Sequence, residues 1–189
     1  PGYIMNIFIL HEDPVKAAQD QCDKHVVKMI VESAQMLSTV HRMLDGSIET
    51  RKSKSGKTNV KYWKLDGHRE NLLYKAVHMN HPCTVWSRES SSNYRWHYQH
   101  FIALCREYTY RYGKIHKTEQ LLGLELGLLP KNIPMADYTP FKLAMGSNPE
   151  CMFKDPVKSY RAFYKTKQER FKMEWTKRKV PSWFNYAAV

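Results

Sequence analysis

The chain has 189 residues, 42% hydrophobic and 13% aromatic, enough for one domain with a real core and too apolar for a disordered chain. Its 30 Lys/Arg against 18 Asp/Glu leave a formal net charge of +12, which suits a phosphate-rich partner, nucleic acid before all others. No apolar run approaches about 18 residues, so no membrane-spanning helix and no membrane partner are expected.

The opening PGYI reads as an expression remnant, with Met5 as the native start. MNIFIL (Met5–Leu10) is a short apolar run and predicts one strand. Asp13-Pro14 then supplies an N-cap and a proline at the first helical position, and the spacing predicts one helix to about Leu44, ended by Asp45-Gly46. The segment 46–64 follows as a basic loop or hairpin insertion. Arg51, Lys52, Lys54, Lys57, Lys61 and Lys64 give six positive charges between residues 51 and 64, a span without an acid, and Ser55-Gly56 offers a turn. A short helix is predicted around 69–79, then a turn at Asn80-His81-Pro82. Helical periodicity returns from about Ser91 to Gly113, with Tyr94, Tyr98, Phe101, Ile102, Cys105, Tyr108 and Tyr112 inward. Thr118 starts another helix, closed by Pro130, and a loop rich in Pro, Asn and Gly spans 130–154. Asp155-Pro156 repeats the earlier start signal and predicts a last helix to about Trp175. Together these elements predict a mainly α, single compact helical domain over 1–189, with a short N-terminal strand and a basic β-hairpin.

Cys22, Cys83, Cys105 and Cys151 are scattered, and no pair has CxxC spacing. A zinc ribbon is therefore not expected, and free thiols in a reducing, cytoplasmic setting are. On the helix after Asp13, Val26, Met29, Ile30 and Leu37 mark an apolar face. Beside it runs a polar line: Gln21, His25, Lys28, Glu32, Gln35 and Thr39. His25 and Glu32 are seven residues apart, roughly two helical turns, so they project on one line with Lys28 between. A carboxylate beside cations and partly removed from water can be tuned as a general base or an electrostatic stabiliser. A metal site from Asp23, His25 and Glu32 is disfavoured, because Asp23 and His25 point about 200° apart on a helix; no metal or cofactor is expected. Near the C-terminus, Lys177-Arg178-Lys179 precedes Trp183, Phe184 and Tyr186. Cations that hold a backbone next to rings that stack on bases suit a reader of distorted DNA.

With these residues located, the chain resembles the pyrimidine-dimer DNA glycosylases of the phage endonuclease V type. The stretch Met5 to His11, Asp23-Lys24-His25-Val26 with Glu32 nine residues after the Asp, Asn80-His81-Pro82, and Pro181 to Tyr186 are each similar to a family segment, in the same order. The resemblance implies that Glu32 is the catalytic carboxylate. It also implies an α-amine as nucleophile on C1′ of the damaged nucleotide, assigned to Asn6 behind Met5, with His25 beside them; an α-amine of pKa about 7.7–8.0 keeps roughly a tenth or more of its molecules neutral at pH 7, far more than a free lysine does. Water activated by Glu32 stays open as the alternative nucleophile. Val31 and Gln35 stand where the family has DNA-gripping arginines, leaving Lys24 and Lys28 as substitutes.

The expected function is thus a DNA repair glycosylase, with AP-lyase activity if the amine route holds, excising damaged or modified pyrimidines as a monomer on duplex DNA in a phage-infected cell. Candidate DNA contacts are Lys24, Lys28, Arg51, Lys52, Lys54 and Lys57, then His81, Arg88, Lys177, Arg178 and Lys179, with Trp183, Phe184 and Tyr186 as stacking rings. The alternatives are a non-catalytic nucleic-acid-binding protein and a metal-dependent nuclease.

Overall fold

The computed structural model describes residues 5–186; the reading of residues 1–4 as a remnant lies outside them. Seven α-helices and one two-stranded antiparallel sheet make a mainly α fold among the described residues. In chain order these are α1 (Pro14–Gln19), α2 (Asp23–Asp45), β1 (Ser47–Lys52), β2 (Asn59–Lys64), α3 (Arg69–Leu72), α4 (Pro82–Glu89), α5 (Ser91–Tyr112), α6 (Lys117–Leu122) and α7 (Pro156–Lys165). Short 3₁₀ turns sit at Glu125–Gly127, Pro149–Cys151 and Thr166–Glu169. No helix is long and apolar enough to cross a membrane.

Both Asp-Pro signals open helices for the stated reason. The Asp13 and Asp155 carboxylates accept from the backbone N–H groups of Val15 and Val157, and each proline occupies the first turn. α2 buries Val26, Met29, Ile30 and Leu37 and packs against α4 and α5, while α1 packs on α5. One contiguous core joins these helices to Tyr160 and Tyr164 of α7. All four cysteines are free and buried.

The structure corrects several boundaries. Met5–Leu10 is no strand: it has no ladder, and it runs buried through the core. The predicted helix from Asp13 is two, broken at Asp20–Cys22. There the indole N–H of Trp175 donates to the Asp20 carbonyl (2.8 Å) and that of Trp183 to its carboxylate (3.0 Å), contacts made from 155 and 163 residues away. The helix around 69–79 shrinks to Arg69–Leu72, and the Asn80-His81-Pro82 turn opens α4, which the periodicity did not announce. α7 ends at Lys165, about ten residues before Trp175. The basic insertion is a hairpin, with Ser47 opposite Lys64 and Lys52 opposite Asn59, and Gly56 takes the positive φ of +72° at its tip.

Gly46 ends α2 where a Cβ would lie 2.4 Å from the Arg42 carbonyl oxygen, so only glycine fits this turn into β1. The hairpin is then fastened by Arg42, itself buried. Its guanidinium donates to the carbonyls of Tyr74, Trp63, Glu70 and Leu73 and to the Glu70 carboxylate. Glu70 also accepts from the Tyr62 hydroxyl (2.5 Å) and the Leu65 N–H (3.0 Å). Burial opposes its ionisation, yet these donors outweigh it and hold the carboxyl at about 2.

Candidate functional site

Glu32 lies in the middle of α2, only 3% exposed. Neither of its carboxylate oxygens has a hydrogen bond. Lys28, one turn earlier and partly exposed, is its ion-pair partner at 3.9 Å. Burial pushes the Glu32 carboxyl up to about 7, with Lys28 pulling the other way. A proton donor or acceptor poised near the working pH is what general acid–base chemistry needs. The expected line of His25, Lys28 and Glu32 on one face of α2 is therefore present, but its members differ in kind.

His25 is a wall rather than a titrating group. Its ring stacks on Phe8 (4.8 Å, 17°), meets the edge of Phe171 (5.5 Å) and shares a 2.8 Å hydrogen bond between Nδ1 and the Tyr164 hydroxyl. Burial, and then Lys167, Lys28 and Lys24, drive its pKa down to about 3, so it is neutral at pH 7. Asn6 is also buried, and both ends of its amide are used: Nδ2 donates to the Ala144 carbonyl (3.2 Å), and Oδ1 accepts from the Cys83 thiol (3.4 Å). Asn6 is peptide-bonded to Met5, so an α-amine there requires removal of everything before it.

The helix sets out two basic regions on either side of Glu32. Arg42, which anchors the hairpin, is ten residues on, about 15 Å along the axis. Asp23, nine residues back, is the clamp for the C-terminal segment: its carboxylate accepts from the Thr176 N–H (2.8 Å) and hydroxyl (2.6 Å), and from Arg111 (3.0 Å). The hairpin tip presents Lys52, Lys54 and Lys57 exposed, without an acidic partner among the described residues. Arg51 instead lies over the Tyr62 ring (3.5 Å) and pairs with Glu49. Lys24 is exposed over Phe171.

Other assigned DNA contacts are committed elsewhere. Arg178 is locked onto Glu107 through two hydrogen bonds (2.8 and 3.0 Å), and its charge is spent there. Lys177 donates to the Tyr110 carbonyl, and Lys179 is exposed. Arg88 donates to the Met79 carbonyl (2.6 Å), and His81 caps α4 by accepting from the Cys83 N–H (3.1 Å). Phe184 is buried against Trp175 (4.9 Å) and cannot stack on a base. Tyr186 is exposed but tied to the Met173 carbonyl. Trp183 is half-buried, 6.1 Å from Tyr164, which is 5.2 Å from His25. The tail thus meets the polar line at its His25 end, not beside Glu32.

Two residues near His25 were missed: Tyr164, whose hydroxyl also accepts from the Cys22 N–H (2.8 Å), and Lys167. Their signal was the spacing of Tyr160, Phe163, Tyr164 and Lys167, one buried line in which the lysine reads as a solvated end. A cavity of about 630 Å³ lies elsewhere, between α1, α5 and α6, lined by Ile102, Arg106 and Glu119 among others. Among the described residues, no group of three or more His, Cys, Asp and Glu is assembled to hold a metal ion. The chain matches no protein-family model, no curated protein and no solved structure.

Proposed function

We propose that the chain is a DNA repair glycosylase that excises damaged or modified pyrimidines from duplex DNA as a monomer, with Glu32 as the proton-transferring carboxylate. One observation carries this reading: Glu32 is held out of water with both oxygens unbonded, beside one lysine, on the helix that also anchors a basic hairpin. Burying a carboxylate without hydrogen bonds costs stability, which a purely structural residue has no reason to incur. Its elevated pKa lets it donate a proton to a leaving base and take one back at neutral pH. The unpaired cations of the hairpin tip supply phosphate contacts, and the positive flank stabilises the DNA-bound state.

The test uses duplexes carrying defined pyrimidine lesions, with the wild type and Glu32→Gln compared for binding and for base release. Binding that survives while base release vanishes supports the reading. Equal behaviour of the two proteins, without release, leaves a non-catalytic binder; strand cleavage without base release that a chelator abolishes instead points to a metal-dependent nuclease.

A further inference from the structure

The cavity of about 630 Å³ between α1, α5 and α6 is not lined by Glu32, and its size falls in the range of small-molecule sites. Tyr98, Ile102, Ala103, Tyr110 and Leu124 give it apolar walls. The Tyr98 hydroxyl is already used, donating to the Gly123 carbonyl (2.6 Å), so that residue offers its ring. Four charged side chains line the same space, two of each sign. Arg178 and Glu107 are closed on each other, and the Arg178 guanidinium lies 4.3 Å from the centre of the Tyr110 ring. Arg106 and Glu119 are open. Arg106 is exposed and has no hydrogen bond or ion pair among the described residues. Glu119 Oε1 is shut off from solvent and has no hydrogen bond. Both charges reach the Tyr98 hydroxyl: burial and Cys105 raise its pKa, Arg106 opposes the rise and Glu119 adds to it. A buried acceptor without a donor, beside a free guanidinium in an apolar hollow, leaves places for one donor and one acceptor of a ligand.

We propose that this cavity is a binding site for a small apolar zwitterion of the aromatic amino acid or dipeptide class. The ligand's carboxylate meets Arg106, its ammonium meets Glu119, and its ring lies among Tyr98, Ile102 and Leu124. Charge balance selects this class. In a chain of net charge +12 the cavity walls sum to zero, two cations against two carboxylates, so they offer a phosphate no excess of positive charge. A simple carboxylic acid satisfies Arg106 and leaves Glu119 Oε1 bare, and a simple amine does the reverse. A ligand carrying both groups gives each its partner, and both contacts are charge-assisted hydrogen bonds in a hollow that an apolar body keeps dry. The planar guanidinium of Arg106 can take a carboxylate through two parallel N–H donors. Leu124, 92% exposed, is covered by the apolar body of the ligand. The site stands apart from the DNA reading, since neither Arg106 nor Glu119 is among the DNA contacts.

The experiment titrates the full chain calorimetrically with L-tryptophan and with the dipeptide Trp-Leu. Beside them go tryptamine, which lacks the acid, indole-3-propionate, which lacks the amine, and guanosine, a planar ligand without charge. Saturable binding of at least one zwitterion, roughly tenfold or more tighter than either single-charge analogue, is the expected result. Arg106→Gln should erase the advantage over tryptamine, and Glu119→Gln the advantage over indole-3-propionate, with melting temperature kept. Amide hydrogen exchange of the wild type with the bound zwitterion should slow in α6 and the C-terminal half of α5, a readout that needs no variant to fold. No saturable binding of either zwitterion at millimolar concentration overturns the proposal. So do single-charge analogues that bind as tightly, guanosine that binds more tightly, or protection that falls elsewhere. No probe contains DNA, so this result and the release of damaged bases stand or fall separately.

Discussion

Two buried charges on α2, ten residues apart, have opposite surroundings. Arg42 spends its guanidinium on four carbonyls and a carboxylate, and every partner belongs to the segment that carries the hairpin. Neither oxygen of the Glu32 carboxyl has a hydrogen bond. The first pattern is that of a fastener, because each bond fixes one more piece of chain and the low dielectric rewards complete satisfaction. The second leaves desolvation uncompensated, and the protein tolerates it. The Asp23–Arg111–Glu107–Arg178 chain belongs with Arg42: it ties α1, α2, α5 and the C-terminal segment together and leaves little charge for a ligand. Basic residues in this protein therefore divide by partner rather than by exposure alone. Those that are paired hold the fold, and those at the hairpin tip have no acidic partner among the described residues.

The comparison breaks first at Arg42. Arg42→Met leaves Glu70 and four carbonyls without their donor, and breaking a buried pair of this kind costs about 3–5 kcal/mol. Thermal unfolding should show a loss of that size, with the hairpin segment exchanging its amide hydrogens faster. A loss under about 1 kcal/mol would mean that Arg42 is no fastener.

Glu32→Gln should move the opposite way. The unfolded chain releases this proton near 4.5 and the folded chain near 7, so between them the folded state holds the extra proton. Stability contributed by Glu32 is therefore present at low pH, falls as pH rises through that window, and stays lost above it; the full span is about 3 kcal/mol at most. Buried His25 and His41, lowered to about 3 and about 4, contribute the reverse slope up to the ordinary histidine value near 6.5. The difference between the wild type and Glu32→Gln isolates the carboxyl. That difference should grow in favour of the variant from pH 4.5 to 7 and then level off. A flat difference would show Glu32 ionised and satisfied like Arg42.

The hairpin sharpens the contrast within one element, because its base is fastened and its tip is free. Replacing Lys52, Lys54 and Lys57 with Ser should leave stability within about 0.5 kcal/mol. The log–log salt slope of DNA binding should shrink by about 2–3, since each phosphate contact contributes roughly 0.9. The wild-type slope itself, with about five phosphates neutralised, should be near −4 to −5. An unchanged slope would remove the tip from the interface.

Much of this fold was legible where physics is local. Asp-Pro starts, the Gly46 stop, the Gly113 cap and the Ser55-Gly56 turn depend on neighbours in sequence, and the structure places elements there. What failed depends on distant chain. The apolar period runs on through Asp20–Cys22, and only the indoles of Trp175 and Trp183 show why the helix breaks. Met5–Leu10 looks like a strand because it is apolar, but the core around it offers helices and no strand to pair with. At the site, the helical line of His25, Lys28 and Glu32 was readable from spacing. That Arg178 is neutralised, Phe184 buried and Lys167 enclosed was not, since each follows from a contact with another element.

Trp183 divides its expected effect between stability and excision. Its indole N–H donates to Asp20 while its ring faces Tyr164 and, at 5.4 Å, the Arg161 guanidinium. Burial raises the Asp20 carboxyl, and the indole hydrogen bond opposes that rise. Trp183→Phe removes the donor and keeps a ring, so stability should drop by about 0.5–1.5 kcal/mol, the net value of one hydrogen bond. Trp183→Ala removes the ring as well. If the ring supports a displaced base, Ala should slow excision by a further factor that corresponds to about 1–3 kcal/mol of lost stacking, while binding to undamaged duplex changes little. Equal excision rates in the Phe and Ala variants would assign Trp183 to the fastened group with Arg42 and Arg178, holding the break between α1 and α2 and nothing more.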